Sequence, residues 1–153
     1  MRVAPLRLFR TVAIAEAVTW ALLLFGMFLK YVTETTDAAV SVFGMVHGVV
    51  FIAYVLTALV VAVDQRWSAT RTVLAVLASI PPFFTVLFDV LVERRGAFAP
   101  AWRLTDEAAS PAGRLDRPVG WLLRHPGQGA LVGVVAVALL TVLALLVGPP
   151  ASG

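Results

Sequence analysis

The chain has 153 residues, of which 60% are hydrophobic and 14% are charged, and its formal net charge is +3 at pH 7. A typical soluble domain carries about 25% charged residues, so this composition indicates a protein embedded in a lipid bilayer. Eleven of the twelve basic residues are arginines, which beside apolar runs set topology and contact anionic lipid, so no nucleic-acid partner is expected. The absence of cysteine excludes disulfides and thiolate metal sites.

Two long apolar segments open the chain. The first, residues 11–29, is interrupted by Glu16 and is too long for the apolar part of a secretory signal, so we predict a retained membrane span. The second covers residues 38–63, and within it residues 39–63 contain no acid, Lys or Arg. At about 1.5 Å per residue, this stretch is long enough to cross a hydrocarbon core roughly 30 Å thick.

The third apolar segment, residues 72–92, allows two different paths. It carries Pro81 and Pro82 near its middle, and we expect a kinked crossing of the membrane. A crossing would place the six arginines of residues 93–129 outside, against the tendency of arginine-rich loops to stay inside. The alternative is a re-entrant hairpin that turns at the two prolines and brings those arginines back inside, shielded by the rest of the protein.

The remainder of the chain divides into a loop and a last helix. Residues 96–129 contain four prolines, so they cannot form one continuous helix, and we predict a Pro- and Arg-rich loop at the membrane interface. Residues 130–148 are a clean apolar run that predicts a fourth span, closed by Pro149-Pro150 within a C-terminal unit 130–153.

The predicted fold is an all-α, polytopic transmembrane helical bundle. The segments show neither the alternation of β-strands nor a repeat of solenoid period. We expect a multi-pass protein of the inner (plasma) membrane with its N-terminus in the cytoplasm, because arginines flank the inner ends of the first spans. These arginines are Arg2, Arg7, Arg10, Arg66 and Arg71.

Short motifs spread over residues 8–95 resemble the YdzA-like family of small bacterial integral membrane proteins. They are Phe9-Arg10, Glu16, Gly26-Met27-Phe28-Leu29-Lys30-Tyr31, Gly44-Met45-Val46-His47-Gly48 with Phe51 and Tyr54, Trp67 and Arg71, and Pro82-Phe83-Phe84-Thr85 with Asp89. The resemblance implies a domain of three transmembrane helices over residues 1–95 and assigns no biochemical function. One departure is Phe84, which stands where the family pattern usually has glycine.

Ionisable side chains within the predicted spans are costly, so each needs a partner or a role. If the third segment crosses, Lys30, His47 and Asp89 share one level near the outer face. They then form either a ligand or proton site or an ion-paired clasp between three helices, and the clasp is favoured. In the hairpin alternative, Asp89 instead returns towards Arg10 and Glu16.

Glu16 lies nearer the inner face, close to the height of Tyr54. As a proton or cation relay it would face a hydrated cavity, with Tyr54 as a hydrogen-bond partner across helices. As a structural residue it would pair with Arg10 or be protonated, and the structural role is favoured.

Gly44 and Gly48 form a G-x-x-x-G pair on the second span. Small residues at this spacing allow two helix backbones to approach closely. We expect the pair to pack internally against the first or third span rather than to form a homodimer.

Sequence motifs of catalysis are missing: the chain contains no P-loop, dinucleotide fingerprint, H-E-x-x-H or G-x-S-x-G. His47 and His125 are the two histidines, too few for haem ligation plus an ordinary metal site. We therefore expect no enzyme, no cofactor and no bound metal. The leading hypothesis is a structural or accessory membrane component acting through helix packing, as a homo-oligomer or in a larger complex. The alternative is a small transporter or channel component that moves protons or a small solute as an oligomer.

Overall fold

The computed structural model describes residues 3–106 and 113–148, and these residues contain helices and connections but no strand. The predicted all-α class is confirmed. The elements are α1 (Pro5–Tyr31), α2 (Ala38–Asp64), α3 (Ala69–Leu77), α4 (Phe84–Arg94), a short 3₁₀ helix (Arg103–Thr105), α5 (Asp116–Arg124) and α6 (Pro126–Val147). The predicted stop at Pro149-Pro150 lies outside the described residues, as does Arg2.

Three helices are long and apolar enough to cross a membrane, namely α1, α2 and α6. They correspond to the predicted spans 11–29, 38–63 and 130–148. Both α1 and α6 begin earlier than predicted, at Pro5 and Pro126. Proline is well suited to the first helical position, where the missing N–H has no partner in any case.

The segment 72–92 does not cross. It forms two short helices, α3 of nine residues and α4 of eleven, each about half as long as a bilayer core is thick. Pro81 and Pro82 stand between them, and a helix cannot continue through two residues without N–H donors. The indole Nε1 of Trp67, before α3, donates to the carbonyl of Ala97, after α4, at 2.9 Å. The predicted crossing is therefore wrong, and the hairpin alternative describes the structure.

The turn of this hairpin holds its polar groups against α1. Ser79 is 1% exposed, and its carbonyl accepts a hydrogen bond from Trp20 Nε1 at 3.3 Å. The apolar side chains of Ile80, Phe83 and Phe84 point outward and are about half exposed or more. Non-helical backbone at membrane depth must be shielded by protein. Here the polar backbone of the turn faces the protein, and its apolar side chains face outward.

The left-handed residue of the turn is Phe83, with φ of 67°, directly before Phe84. In the pattern of the family that the chain resembles, position 84 usually holds glycine, whereas this chain has Phe84. The unusual backbone conformation thus falls one residue earlier, on an aromatic residue that caps the start of α4.

A close approach of α1 and α2 occurs at Gly26. A Cβ atom built there would lie 3.1 Å from the backbone of Ala39 and Val40, tighter than ordinary packing. The same atom on Gly44 would meet the side chain of Leu23 at 3.8 Å, and on Gly48 it would meet nothing within 4 Å. The prediction of close internal packing at both glycines is therefore wrong for Gly48, which faces open space.

An aromatic cluster joins α1, α2 and both ends of the hairpin. The ring centroid of Phe9 lies 5.6 Å from those of Tyr54, Trp67 and Phe98 and 6.2 Å from that of Phe88. Phe9 and Tyr54 are completely buried. Tilted and edge-on pairs of this kind contribute about 1 kcal/mol each beyond the burial of their area. The cluster fixes the hairpin against the two long helices.

Candidate functional site

Glu16 lies on α1, is completely buried and contacts the hairpin. The hydroxyl of Thr85, on α4, is 2.7 Å from Glu16 Oε2 and 3.2 Å from the carbonyl of Ala13. The hydroxyl of Thr85 donates to the carboxyl of Glu16 at the shorter of the two distances and shares its proton with the carbonyl of Ala13. Thr85 belongs to the Pro82-Phe83-Phe84-Thr85 motif of the resemblance but was not predicted as a site residue, because a single threonine in an apolar run gives little signal.

Arg10 pairs with the hairpin one to two turns before Glu16. Its Nε donates to Asp89 Oδ2 at 2.7 Å, and its Nη2 pairs with Glu93 on the same face of α4. Asp89 is 2% exposed. The predicted structural partner of Glu16 was Arg10, but Arg10 is engaged by these two carboxylates. This is the contact that the hairpin alternative anticipated for Asp89.

His47, on α2, contacts α1 one turn beyond Glu16. Its Nδ1 lies 3.0 Å from the hydroxyl of Thr19, which donates to the carbonyl of Glu16 at 2.9 Å. Because that hydroxyl proton is already used, His47 Nδ1 carries the hydrogen and donates to Thr19. The imidazole also packs against the ring of Trp20 at a tilted angle of 54°, with ring centroids 4.5 Å apart.

Tyr54 is buried but does not bind Glu16, so the predicted pair is not formed. Its hydroxyl donates to the carbonyl of Ala75 at 3.0 Å. Ala75 is in the last turn of α3, where carbonyls have no helical partner of their own. Tyr54 therefore satisfies the helix end that the hairpin creates.

The predicted level of Lys30, His47 and Asp89 does not exist in the structure. Lys30 pairs with Asp37 at 3.5 Å at the far end of α1. His47 lies at the height of Trp20, about 15 Å along α1 from Lys30, and Asp89 lies beside Arg10. The assumed crossing of residues 72–92 misplaced Asp89. The heights of Lys30 and His47 were counted from the predicted span limits, whereas Gly26 of α1 lies beside Ala39 and Val40 of α2, so His47 is far from Lys30 along the bundle.

All ten arginines of the described residues lie at one end of the bundle, here called the arginine end. Lys30 lies at the other end. The arginine end contains the start of α1, the end of α2, both ends of the hairpin, α5 and the start of α6. Its arginines are Arg7, Arg10, Arg66, Arg71, Arg94, Arg95, Arg103, Arg114, Arg117 and Arg124.

A second buried polar group, missed by the sequence analysis, ties the arginine end together. The carboxylate of Asp64 accepts hydrogen bonds from the backbone N–H groups of Arg103 and Leu104 at 3.1 and 2.8 Å. The guanidinium of Arg103 donates to the carbonyls of Val63 and Asp64 and pairs with Asp116 at 3.2 Å. A cation at the carboxyl end of α2 is favoured by the helix dipole. Bonds to backbone N–H groups follow no residue pattern, so no sequence motif indicates them.

The polar groups inside the bundle hold helices together. Glu16 Oε1 and Asp89 Oδ1 are buried without a hydrogen-bond partner, but the other oxygen of each carboxyl is bonded. Within residues 3–106 and 113–148, no group of three or more His, Cys, Asp or Glu side chains is arranged to hold a metal ion. The chemistry of the arrangement is that of ion pairs and hydrogen bonds between α1, α2 and the hairpin.

Comparison with known proteins identifies a matching family and a similar protein. A family model described as "Domain of unknown function (DUF3817)" matches residues 6–94, more than half of the chain. A Streptomyces coelicolor protein named "Putative membrane protein SCO5905" is 44% identical over 108 residues, which is 70% of this chain. The match spans 12% of the length of that protein. No solved structure matches the chain.

Proposed function

We propose that this chain, which belongs to the family of the domain of unknown function DUF3817, acts as a structural or accessory membrane component through packing of its helices. It is an integral membrane protein with several apolar spans. The observation that carries the proposal is that the buried ionisable side chains within the membrane bond to the protein itself. Glu16, His47, Tyr54 and Asp89 are 0–9% exposed and bind Thr85, Thr19, Ala75 and Arg10 respectively.

A proton or solute pathway needs ionisable groups that water can reach from at least one side. Glu16 is completely buried, and its position is fixed by α4 rather than by a hydrated cavity. Because these buried side chains are bonded to other helices, they stabilise one arrangement of the helices, as a structural component requires.

The first experiment measures proton movement. The purified protein is placed in liposomes that contain a pH-sensitive dye, and a pH gradient is imposed. We expect the gradient to decay as slowly as in protein-free liposomes. The control is Glu16→Gln, which keeps the size of the side chain and an acceptor for Thr85. A leak with the unmodified protein that disappears in Glu16→Gln would contradict the proposal and support a transporter.

The second experiment tests association through the open side of α2, either with a second copy or with a larger membrane complex. The chain has no cysteine, so single cysteines can be introduced without interference. Gly48→Cys places a thiol where a Cβ meets nothing within 4 Å, and Ala58→Cys places one at a completely buried site on the same helix. We expect mild oxidation or a thiol cross-linker to produce a discrete adduct with Gly48→Cys and none with Ala58→Cys. A monomer in both variants is the contrary result.

For the membrane and orientation, we propose the plasma membrane with the arginine end in the cytoplasm, in keeping with the positive-inside tendency. Within its family, we assign the chain to the YdzA-like group from the motifs between Phe9-Arg10 and Asp89. Orientation is tested with Arg95→Cys and Thr36→Cys, both at exposed positions on opposite ends of the bundle. An impermeant thiol reagent added to intact cells should label Thr36→Cys alone. Labelling of Arg95→Cys alone would mean the reverse orientation.

A further inference from the structure

A groove of about 380 Å³ opens at the arginine end, between the last turns of α2 and the segment that leads into α5. Its floor is apolar and is made by Leu59, Ala62 and Val63 of α2. Leu115, which is 61% exposed, lines the groove from the segment before α5. The other residues that line it are Arg66, Trp67, Thr72, Gly113, Arg114 and Asp116.

Two arginines of the groove carry uncompensated charge. Arg66 and Arg114 are exposed, and neither forms an ion pair with another residue of the described chain. The acid that lines the same groove, Asp116, is 7% exposed and pairs with Arg103 at 3.2 Å. The groove is therefore net positive at its rim and attracts an anion.

The backbone of Arg66 adds a second, independent observation. α2 ends with the N–H of Trp67 bonded to the carbonyl of Ala62 at 2.9 Å, and Arg66 between them is left-handed, with φ of 52°. Glycine is the residue usually found at this position of a helix end, because any side chain there is strained. Arg66 adopts this strained conformation and brings its guanidinium to the rim of the groove, where a glycine would have no side chain.

The depth of the groove in the membrane indicates whether its anion is a free phosphate ion or a phospholipid headgroup. Leu59 and Val63 belong to a spanning helix, so the floor lies at the edge of the hydrocarbon, and Arg66, just past the end of α2, lies at headgroup level. A free phosphate ion would leave the apolar floor uncovered. A phospholipid supplies a phosphate for the rim and an acyl chain for the floor, and basic pockets beside transmembrane helices bind such headgroups.

We infer that this groove binds one anionic phospholipid, with its phosphate held by Arg66 and Arg114 and an acyl chain along Leu59 and Val63. The inference does not depend on the proposed accessory function. It assigns to the arginine end a ligand of defined chemistry, in addition to the general attraction between arginines and a membrane surface.

The test uses the full chain in a neutral detergent and measures binding of phosphatidylglycerol by native mass spectrometry. The double variant Arg66→Gly and Arg114→Gln removes both charges, and glycine suits the backbone of position 66. We expect its affinity to fall about thirtyfold, and that of Arg114→Gln alone about fivefold. The matched control is Arg117→Gln, an exposed arginine of α5 that does not line the groove, and it should bind like the unmodified protein.

Further measurements separate the possible outcomes. Phosphatidylcholine, whose phosphate charge is offset by a choline cation, should bind the unmodified protein more weakly than phosphatidylglycerol does, and inorganic phosphate should not displace phosphatidylglycerol. The inference is overturned if the double variant keeps the affinity of the unmodified protein, if Arg117→Gln loses as much, or if inorganic phosphate competes fully. Melting temperatures without lipid establish that each variant is folded. If the double variant is unfolded, Arg114→Gln alone decides the result.

Discussion

Arg10 lies where α1 meets the returning hairpin, and its contacts decide the path of the chain. It binds Asp89 and Glu93, which are one turn apart on α4. The two carboxylates differ in environment, because the side chain of Asp89 is 3% exposed and that of Glu93 is 41% exposed. An exposed pair of this kind contributes little, whereas a buried one cannot exchange its partner for water.

We therefore predict different effects for the two acids. Asp89→Asn, which keeps the shape but removes the charge, should lower the free energy of unfolding by about 2 kcal/mol. Glu93→Gln should lower it by less than about 1 kcal/mol. Unfolding titrations in mixed micelles measure both. Equal losses would mean that the burial of Asp89 does not matter.

The hairpin is the element that distinguishes this fold from a simple bundle. It ends two helices inside the protein, and each helix end leaves backbone groups without partners. Tyr54 from α2 and Trp20 from α1 supply donors for the carbonyls of Ala75 and Ser79. Side chains of the long helices thus replace the hydrogen bonds that the break removes.

Removal of one such donor should destabilise the hairpin. Tyr54→Phe keeps the ring next to Phe9 but leaves the Ala75 carbonyl without a partner, at a cost of about 1–2 kcal/mol. The other tyrosine of the chain is a matched control: Tyr31 is 67% exposed, so Tyr31→Phe should leave stability unchanged. Thermal melts followed by circular dichroism in detergent make the comparison. Equal melting temperatures for the two variants would contradict the role of the Tyr54 hydroxyl.

The long helices were predictable from the sequence and the hairpin was not. Apolar runs of more than 18 residues identify spans, so α1, α2 and α6 followed directly. Residues 72–92 are also apolar, and composition alone does not distinguish one crossing from two half-length helices. The contact that distinguishes them joins Arg10 to Asp89, 79 positions apart. The local signs of the hairpin were Pro81-Pro82 and the six arginines of residues 93–129, and the arginines pointed to the correct alternative.

Across the whole molecule, α6 stands apart from the rest. None of its residues is buried, whereas α1 and α2 each bury several side chains. The aromatic cluster and the Arg10, Glu16 and Asp64 contacts all lie before residue 126. The core therefore belongs to α1, α2, the hairpin and the loop that follows it.

A chain that ends at His125 should therefore keep its core. We expect its near-ultraviolet circular dichroism to match that of the full chain and its melting temperature to fall by less than about 5 °C. A chain that ends at Arg95 is the control. It lacks the groups that bond to Trp67 and Asp64, and it should lose its near-ultraviolet signal. Loss of signal on removing α6 alone would contradict this division.

The hairpin also determines whether the number of membrane crossings is odd or even. Because residues 72–92 enter and leave on one side, three crossings remain, and three is odd. We therefore expect Val3 and Gly148, at the outer limits of the described chain, to face different compartments. A protease confined to one side of a sealed vesicle would reach one of these limits and not the other, and two reporters fused there would experience opposite redox conditions.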